Sequence, residues 1–92
     1  MSRDVVVYLE DMVEAVRRVL EYTSGMTREA LFADKKTLDA VVAGLRDVLA
    51  HEYFAIDDDI LWDVVSQKLP PLGPELERIL EDERKRVMIE YR

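Results

Sequence analysis

The apolar residues near the start of the chain recur at intervals of three and four, which is the spacing of one face of an α-helix. This stripe predicts a helix over residues 3–23. Ser24 and Gly25 should end the helix, because glycine suits the left-handed conformation that often follows a helix. The stripe consists of Val5, Leu9, Met12, Val16, Val19 and Leu20.

The same reasoning predicts three further helices, over residues 35–53, 58–69 and 74–90. Thr27 is the expected cap of a short helical turn, and Asp34 is the expected cap of the second helix. The proline-rich stretch 70–74 should separate the last two helices. The pattern therefore predicts an all-α fold, an antiparallel helical bundle formed by a single domain over residues 1–92.

Gly44 lies inside the second apolar stripe. It should weaken that helix by roughly 1 kcal/mol relative to alanine. A glycine at such a position indicates either a close contact with another element or a bend in the helix.

Composition limits the class of protein. Charged residues make up 36% of the chain and apolar residues 49%, which is the balance of a soluble domain. No apolar run approaches the roughly 20 residues of a membrane-spanning helix, and no signal peptide is evident. We therefore expect a cytoplasmic protein with no membrane partner. The absence of cysteine and the single histidine exclude disulfides, thiolate metal sites and His-pair metal sites. Composition leaves open an all-carboxylate site for a hard cation, but no metal or cofactor is expected.

Length and charge bear on the partners. A chain of 92 residues buries a smaller share of its surface than a larger domain does, and such chains often gain core by pairing with a copy of themselves. A homodimer is therefore expected. The net charge of −7 argues against binding of long nucleic acid by charge alone, so DNA is not expected as a partner. An RNA substrate would need a local positive site.

The stretch 44–54 carries the residues that could perform chemistry. Asp47 and His51 are four residues apart, so on a helix they share a face and the carboxylate can accept a hydrogen bond from the imidazole. Arg46 and Tyr53 are seven residues apart, close to two full turns, and also share a face. The directions of Arg46 and His51 differ by about 140°, so a long arginine side chain or a second copy of the chain would have to bring them together.

These residue types suit metal-free RNA cleavage. That reaction needs a base for the ribose 2′-hydroxyl, an acid for the leaving oxygen and a cation for the charge that builds up on phosphorus. Histidine suits the first two tasks and arginine the third. One histidine cannot easily be both acid and base, but a symmetric dimer would supply two.

A purely structural interpretation of the same residues stays open. A histidine beside an aspartate on a helix is commonly a partly exposed structural residue, and Tyr53 can be an aromatic at the edge of the core. The aspartates of residues 57–59 are interpreted as helix caps and solvated charges rather than metal ligands. Trp62 is interpreted as a core or interface anchor.

At Arg46, Asp47, His51 and Tyr53 the sequence resembles the HepT family of HEPN-domain proteins. Its motif is an arginine followed by a polar residue, then a short gap, a histidine and, two residues later, a tyrosine. Flanking stretches resemble the family too, so that the resemblance covers nearly the whole chain. These stretches are residues 8–12, 22–25, 34–41, 56–57, 60–62 and 69–72, together with Phe32.

Two departures from the family pattern stand out. Family members carry several more helical turns between the positions of Val41 and Gly44, so two family helices should be fused here into the single helix 35–53. Asp47 also occupies a position where asparagine is common in the family, which adds a negative charge beside the motif.

The resemblance implies a metal-independent endoribonuclease toxin that acts as a homodimer, with the Arg–His motifs facing one another. Arg46 would orient and neutralise the phosphate, His51 would be the acid and base, and Asp47 would orient the pair. The implied partner is a minimal nucleotidyltransferase antitoxin, which would transfer AMP to Tyr53 and so block the RNA site.

Two alternatives accompany this expectation. The chain could be a non-catalytic helical partner or substrate of a nucleotidyltransferase, with no ribonuclease activity. It could also be a shortened bundle that keeps the fold and has lost both activities.

Overall fold

The computed structural model describes residues 2–49 and 57–90, apart from the side chains of residues 2, 3, 47, 49 and 90. The described chain is almost entirely helical and contains no strand, which confirms the all-α prediction. The helices are α1 (Ser2–Thr23), α2 (Arg28–Ala33), α3 (Lys35–Leu49), α4 (Asp58–Asp63) and α5 (Leu69–Glu90), and a π-helical turn (Val64–Lys68) joins the last two.

Side-chain caps begin three of these helices. The Thr27 hydroxyl accepts a hydrogen bond from the Ala30 N–H at 3.1 Å, as predicted for the short turn. Asp34 accepts bonds from the N–H and the hydroxyl of Thr37 at 3.1 and 2.7 Å, and these bonds lower its pKa because they favour the charged carboxylate. Asp57 accepts bonds from two N–H groups in the first turn of α4. The predicted caps at Thr27 and Asp34 are confirmed.

The ends of α1 and α3 test the predicted boundaries. α1 ends at Thr23, and Gly25 has a φ of 74°, the left-handed conformation expected after a helix. α3 begins at Lys35 as predicted. Its predicted end at residue 53 lies outside the described residues, which resume at Asp57.

The predicted break at residues 70–74 is wrong. The chain remains helical from Asp58 to Glu90, through α4, the π-helical turn and α5. At 1.5 Å per residue such a rod is about 50 Å long. The molecule measures 51 × 23 × 19 Å, so this rod accounts for its long dimension.

The position of each proline relative to the π-helical turn explains why the helix continues through residues 70–74. The Leu69 N–H donates to the Val64 carbonyl, five residues earlier. Pro70 and Pro71 follow directly, in the first turn of α5, where a missing N–H costs little. Only Pro74 lies inside α5, so the helix loses little backbone hydrogen bonding and continues.

The core forms where α1 packs against α3 on one side and α5 on another. α5 runs antiparallel to α1, because Gly73 lies against Val16 while Arg84, further along α5, pairs with Glu10 at 2.7 Å. The predicted antiparallel bundle is confirmed for this pair. The most deeply buried side chains are Val16, Val19, Leu31, Val41, Leu45, Leu61 and Leu69.

Gly44 marks a close contact between α1 and α3. A Cβ at this position would lie 2.7 Å from Cγ2 of Val19, whose side chain is fully buried. The close-contact interpretation of Gly44 is therefore confirmed. The contact matters for the site because it fixes the end of α3 that carries Arg46 against the middle of α1.

Candidate active site

Arg46 lies in the last turn of α3 with its side chain exposed. Leu45 and Val48, its neighbours along the helix, are buried and fix the turn against the core. The predicted phosphate-binding residue is therefore held on a rigid element and is accessible.

The Arg46 side chain lines a groove of about 360 Å³ between α3 and α4. Leu38, Val42 and Leu61 give the groove apolar walls. Asp39 and Asp58 line the same groove, so one cation shares it with two carboxylates. A single RNA phosphate could be held by the guanidinium, but the two carboxylates would oppose the approach of further phosphates.

The two acidic neighbours were not identified as site residues from the sequence. Asp39 is seven residues before Arg46, close to two helical turns, so the spacing alone could have placed both on one face of α3. Asp58 could not be found this way, because it belongs to α4 and the packing of two helices brings it into the groove.

The remaining motif residues are only partly described. Asp47 lies in α3, but its side chain is outside the described part of the structure. His51 and Tyr53 fall in residues 50–56, which are also outside it. The shared faces of Asp47 with His51 and of Arg46 with Tyr53 therefore stay predictions, as do the roles of these residues.

Two of the aspartates of residues 57–59 make structural contacts, while Asp58 lines the groove of Arg46. Asp57 caps α4, and Asp59 pairs with Arg28 of α2 at 2.5 Å. The Arg28 guanidinium also lies over the ring of Phe32, 5.8 Å from its centroid. Within residues 2–49 and 57–90, no cluster of three or more His, Cys, Asp or Glu side chains could hold a metal ion.

Two other interpretations from the sequence can be compared with the structure. The Trp62 side chain is half-buried and packs against the hydrophobic core, consistent with an anchor role. No helix among the described residues is both long enough and apolar enough to cross a membrane.

Comparison with known proteins decides the family. The family described as "Ribonuclease HepT-like" matches residues 41–81, a region that includes Arg46, Asp47, His51 and Tyr53. A protein of Methanocaldococcus jannaschii, named as a candidate RNase, is 30% identical over an alignment that covers 88% of this chain and 91% of that protein. The chain belongs to the HepT-like ribonuclease family.

Two further relatives align with most of this chain. A Thermococcus cleftensis protein named "Probable ribonuclease HepT" is 29% identical, with 78% of this chain and 92% of that protein aligned. A second M. jannaschii protein, named as a gamma-glutamylcyclotransferase and candidate RNase, is 27% identical over 89% of this chain but only 50% of its own length. No solved structure matches the chain.

The alignment with the 30% identical relative is 110 residues long, which exceeds the 92 residues of this chain. That relative therefore contains residues that have no counterpart here. This agrees with the expectation that the chain is shorter than typical members of the family.

Proposed function

We propose that this protein is a metal-independent endoribonuclease that cleaves RNA through attack of the ribose 2′-hydroxyl. The observation that carries the proposal is the exposed guanidinium of Arg46 at the end of α3, inside the region that matches the HepT-like family. The same matched region contains the histidine and the tyrosine of the motif.

The chemistry divides between two side chains. His51 takes the proton of the 2′-hydroxyl, and the 2′-oxygen then forms a bond to phosphorus. The bond from phosphorus to the 5′-oxygen breaks, and His51 of the partner subunit returns a proton to that leaving oxygen. Arg46 donates hydrogen bonds to the phosphate oxygens, where negative charge increases in the transition state.

Cleavage of RNA but not of DNA distinguishes this mechanism from other nuclease chemistry. In the presence of EDTA, we expect the protein to cleave a single-stranded RNA and to leave a 2′,3′-cyclic phosphate on the upstream product. A DNA of the same sequence should remain intact because it lacks the attacking hydroxyl. Gel electrophoresis and mass spectrometry of the products measure both results. Cleavage of the DNA, or a requirement for Mg²⁺, would contradict the proposal.

The second part of the proposal concerns control by a minimal nucleotidyltransferase antitoxin. In this step the Tyr53 hydroxyl oxygen attacks the α-phosphorus of ATP, pyrophosphate leaves, and the tyrosine proton passes to solvent. The attached AMP adds bulk and negative charge beside the residues that bind the RNA phosphate, so it should block cleavage. The protein would then be the toxin of a toxin–antitoxin pair.

Tyr53→Phe should abolish AMP transfer while RNA cleavage continues, because the aromatic ring remains and only the acceptor hydroxyl is lost. Tyr22→Phe is a matched control for the modification, since Tyr22 is an exposed tyrosine of α1 that is not part of the motif. Intact-protein mass spectrometry after incubation with ATP and the nucleotidyltransferase measures the modification. Loss of modification in Tyr22→Phe but not in Tyr53→Phe would show that the acceptor is wrong.

The acidic groove favours one alternative function. Asp39 and Asp58 lie beside Arg46, and the whole chain carries a net charge of −7, both unfavourable for RNA. A non-catalytic partner of a nucleotidyltransferase would tolerate these charges. It would bind the enzyme and accept AMP at Tyr53, yet the unmodified chain would leave RNA intact.

A further inference from the structure

A second groove, of about 660 Å³, runs along α1 and α3. Small residues of both helices line it, and two tyrosines of α1 stand at its edge. The Tyr8 side chain is 59% exposed and the Tyr22 side chain 47% exposed. Aromatic side chains with this exposure beside a groove are typical of surfaces that bind another protein.

The side chains that α1 contributes to the groove are nearly symmetric about Ala15. Tyr8 lies seven residues before Ala15 and Tyr22 seven residues after it, and all three line the groove. Seven residues are close to two turns, so each tyrosine shares the face of Ala15 at about 10 Å along the helix. An antiparallel copy of α1, related by a two-fold axis at Ala15, would place each Tyr8 level with the Tyr22 of the other copy.

The charged residues on this face can pair with the same residues of a second, antiparallel copy. Asp11 and Arg18 lie on the same flank of α1, before and after Ala15. In the antiparallel arrangement the Asp11 carboxylate of each copy faces the Arg18 guanidinium of the other, which gives two opposite-charge pairs.

Glu14, the other acidic residue of the groove, is already neutralised within α1. Its carboxylate accepts bonds from Arg17 at 2.6 Å and from Arg18 at 3.1 Å. The bond from Arg17 is the main reason that the pKa of Glu14 is lowered, so the group stays charged and paired. Arg17 alone makes two bonds to Glu14, at 2.6 and 3.2 Å, so Glu14 stays paired when Arg18 turns toward Asp11 of the other copy.

α3 contributes small residues to the groove and places Arg46 near the level of Ala15 along α1. Ala40, Ala43 and Gly44 line the groove, so another helix can come close to the α3 backbone. Gly44 packs against Val19, and a Cβ added at Gly44 would lie 3.9 Å from the Ala15 carbonyl oxygen. Arg46, two residues further on, is therefore within about one helical turn of the level of Ala15.

We infer that a second copy of this chain binds in the α1–α3 groove, with the two α1 helices antiparallel across a two-fold axis at Ala15. The inference rests on the proposed dimeric ribonuclease, for which it names the surface that joins the subunits. Each copy both offers the groove and fills it, as a two-fold interface requires. The two Arg46 residues then lie at similar levels along the α1 pair, each lining the α3–α4 groove of its own subunit beside the interface.

Charge reversal tests the arrangement directly. Arg18→Glu places like charges opposite Asp11, and Asp11→Arg places like charges opposite Arg18, so each variant should weaken the dimer at least about tenfold. An equimolar mixture of the two variants should form a heterodimer, because every pair is then opposite in charge. Sedimentation equilibrium measures the association. Arg78→Glu and Asp82→Arg are controls with the same charge changes on exposed positions of α5.

Cysteine cross-linking supplies a second measurement, since the chain has no cysteine of its own. A mixture of Tyr8→Cys and Tyr22→Cys chains should form a disulfide-linked heterodimer under mild oxidation, and neither variant should cross-link efficiently alone. Circular dichroism checks that each variant is folded.

The outcomes separate this inference from the proposed function. A monomeric parent chain, or a dimer that neither charge reversal weakens, would overturn the inference. If the mixture restores the dimer but the parent chain does not cleave RNA, the surface is supported and the proposed nuclease fails. If cleavage persists while both charge variants remain fully dimeric, the nuclease stands and another surface joins the subunits.

Discussion

His51→Ala and Arg46→Ala are each expected to lower the rate of RNA cleavage by at least about 100-fold. Loss of a general acid–base group typically costs about 10²–10⁴ in rate. Loss of one group that stabilises transition-state charge costs about 10²–10³. Arg46→Lys should recover only part of the activity, because lysine keeps the charge but not the planar fork that binds two phosphate oxygens. Single-turnover cleavage of a labelled RNA in EDTA measures these effects.

Arg78→Ala is the matched control for Arg46→Ala. Arg78 is an exposed arginine on α5, paired with Glu75 at 2.6 Å, and lies outside the groove of Arg46. Its loss removes the same charge from the chain, so cleavage should remain close to the parent rate. If Arg46→Ala and Arg78→Ala lower the rate equally, the effect belongs to net charge and not to a phosphate site.

Mixing experiments test whether both copies of His51 take part. If one histidine is the base and the other the acid, a dimer with one His51→Ala chain is inactive. In an equimolar mixture of parent and variant chains, only about a quarter of randomly formed dimers contain two intact subunits. Activity should therefore fall to about a quarter, whereas independent subunits would retain about half.

Local signals in the sequence predicted the parts of the fold that depend on neighbouring residues. Gly25 ended α1 because its left-handed backbone is a property of that residue and its flanks. Thr27 and Asp34 capped their helices because the bonds they accept come from residues three positions on. Apolar periodicity located α1 and the start of α3 for the same reason.

The proline-rich stretch 70–74 did not end the helix, and the reason cannot be deduced from the residue types alone. A proline ends a helix when its missing N–H would have been needed, and this depends on its position within the turn. The π-helical turn before Leu69 shifts the hydrogen-bond register, so Pro70 and Pro71 occupy the first turn of a new segment. Periodicity of apolar residues does not reveal such a shift.

The candidate site likewise has a part that the sequence predicts and a part that only the packing of the helices reveals. The position of Arg46 on α3 follows from the helical periodicity of one segment. The groove beside it does not, because Asp58 and Leu61 reach it from α4 through the packing of separate helices. The acidic character of the groove was therefore missed, and it is the feature that most clearly distinguishes the nuclease proposal from its non-catalytic alternative.

Gly44→Ala is expected to lower the free energy of unfolding by about 1–3 kcal/mol, which is the usual cost of overpacking a well-packed core. Alanine would normally stabilise a helix interior by up to about 1 kcal/mol relative to glycine. Here the added Cβ would meet Val19 Cγ2 at 2.7 Å, and a fully buried β-branched side chain has no alternative rotamer that relieves the contact cheaply. The steric cost should therefore exceed the gain in helix propensity.

Gly73→Ala is the matched control, and its effect should be small. Gly73 also lies inside a helix and faces α1, but a Cβ there would meet Val16 Cγ1 at 3.7 Å, an ordinary van der Waals distance. Because Gly73 directly precedes Pro74, whose ring crowds a Cβ on the preceding helical residue, this cost offsets the gain in helix propensity, and the free energy of unfolding should change by no more than about 1 kcal/mol. Urea denaturation of both variants, at a protein concentration where they share one oligomeric state, measures the difference. Stabilisation by Gly44→Ala would show that α1 and α3 are not in close contact at Gly44, and the level assigned to Arg46 beside Ala15 would fall with it.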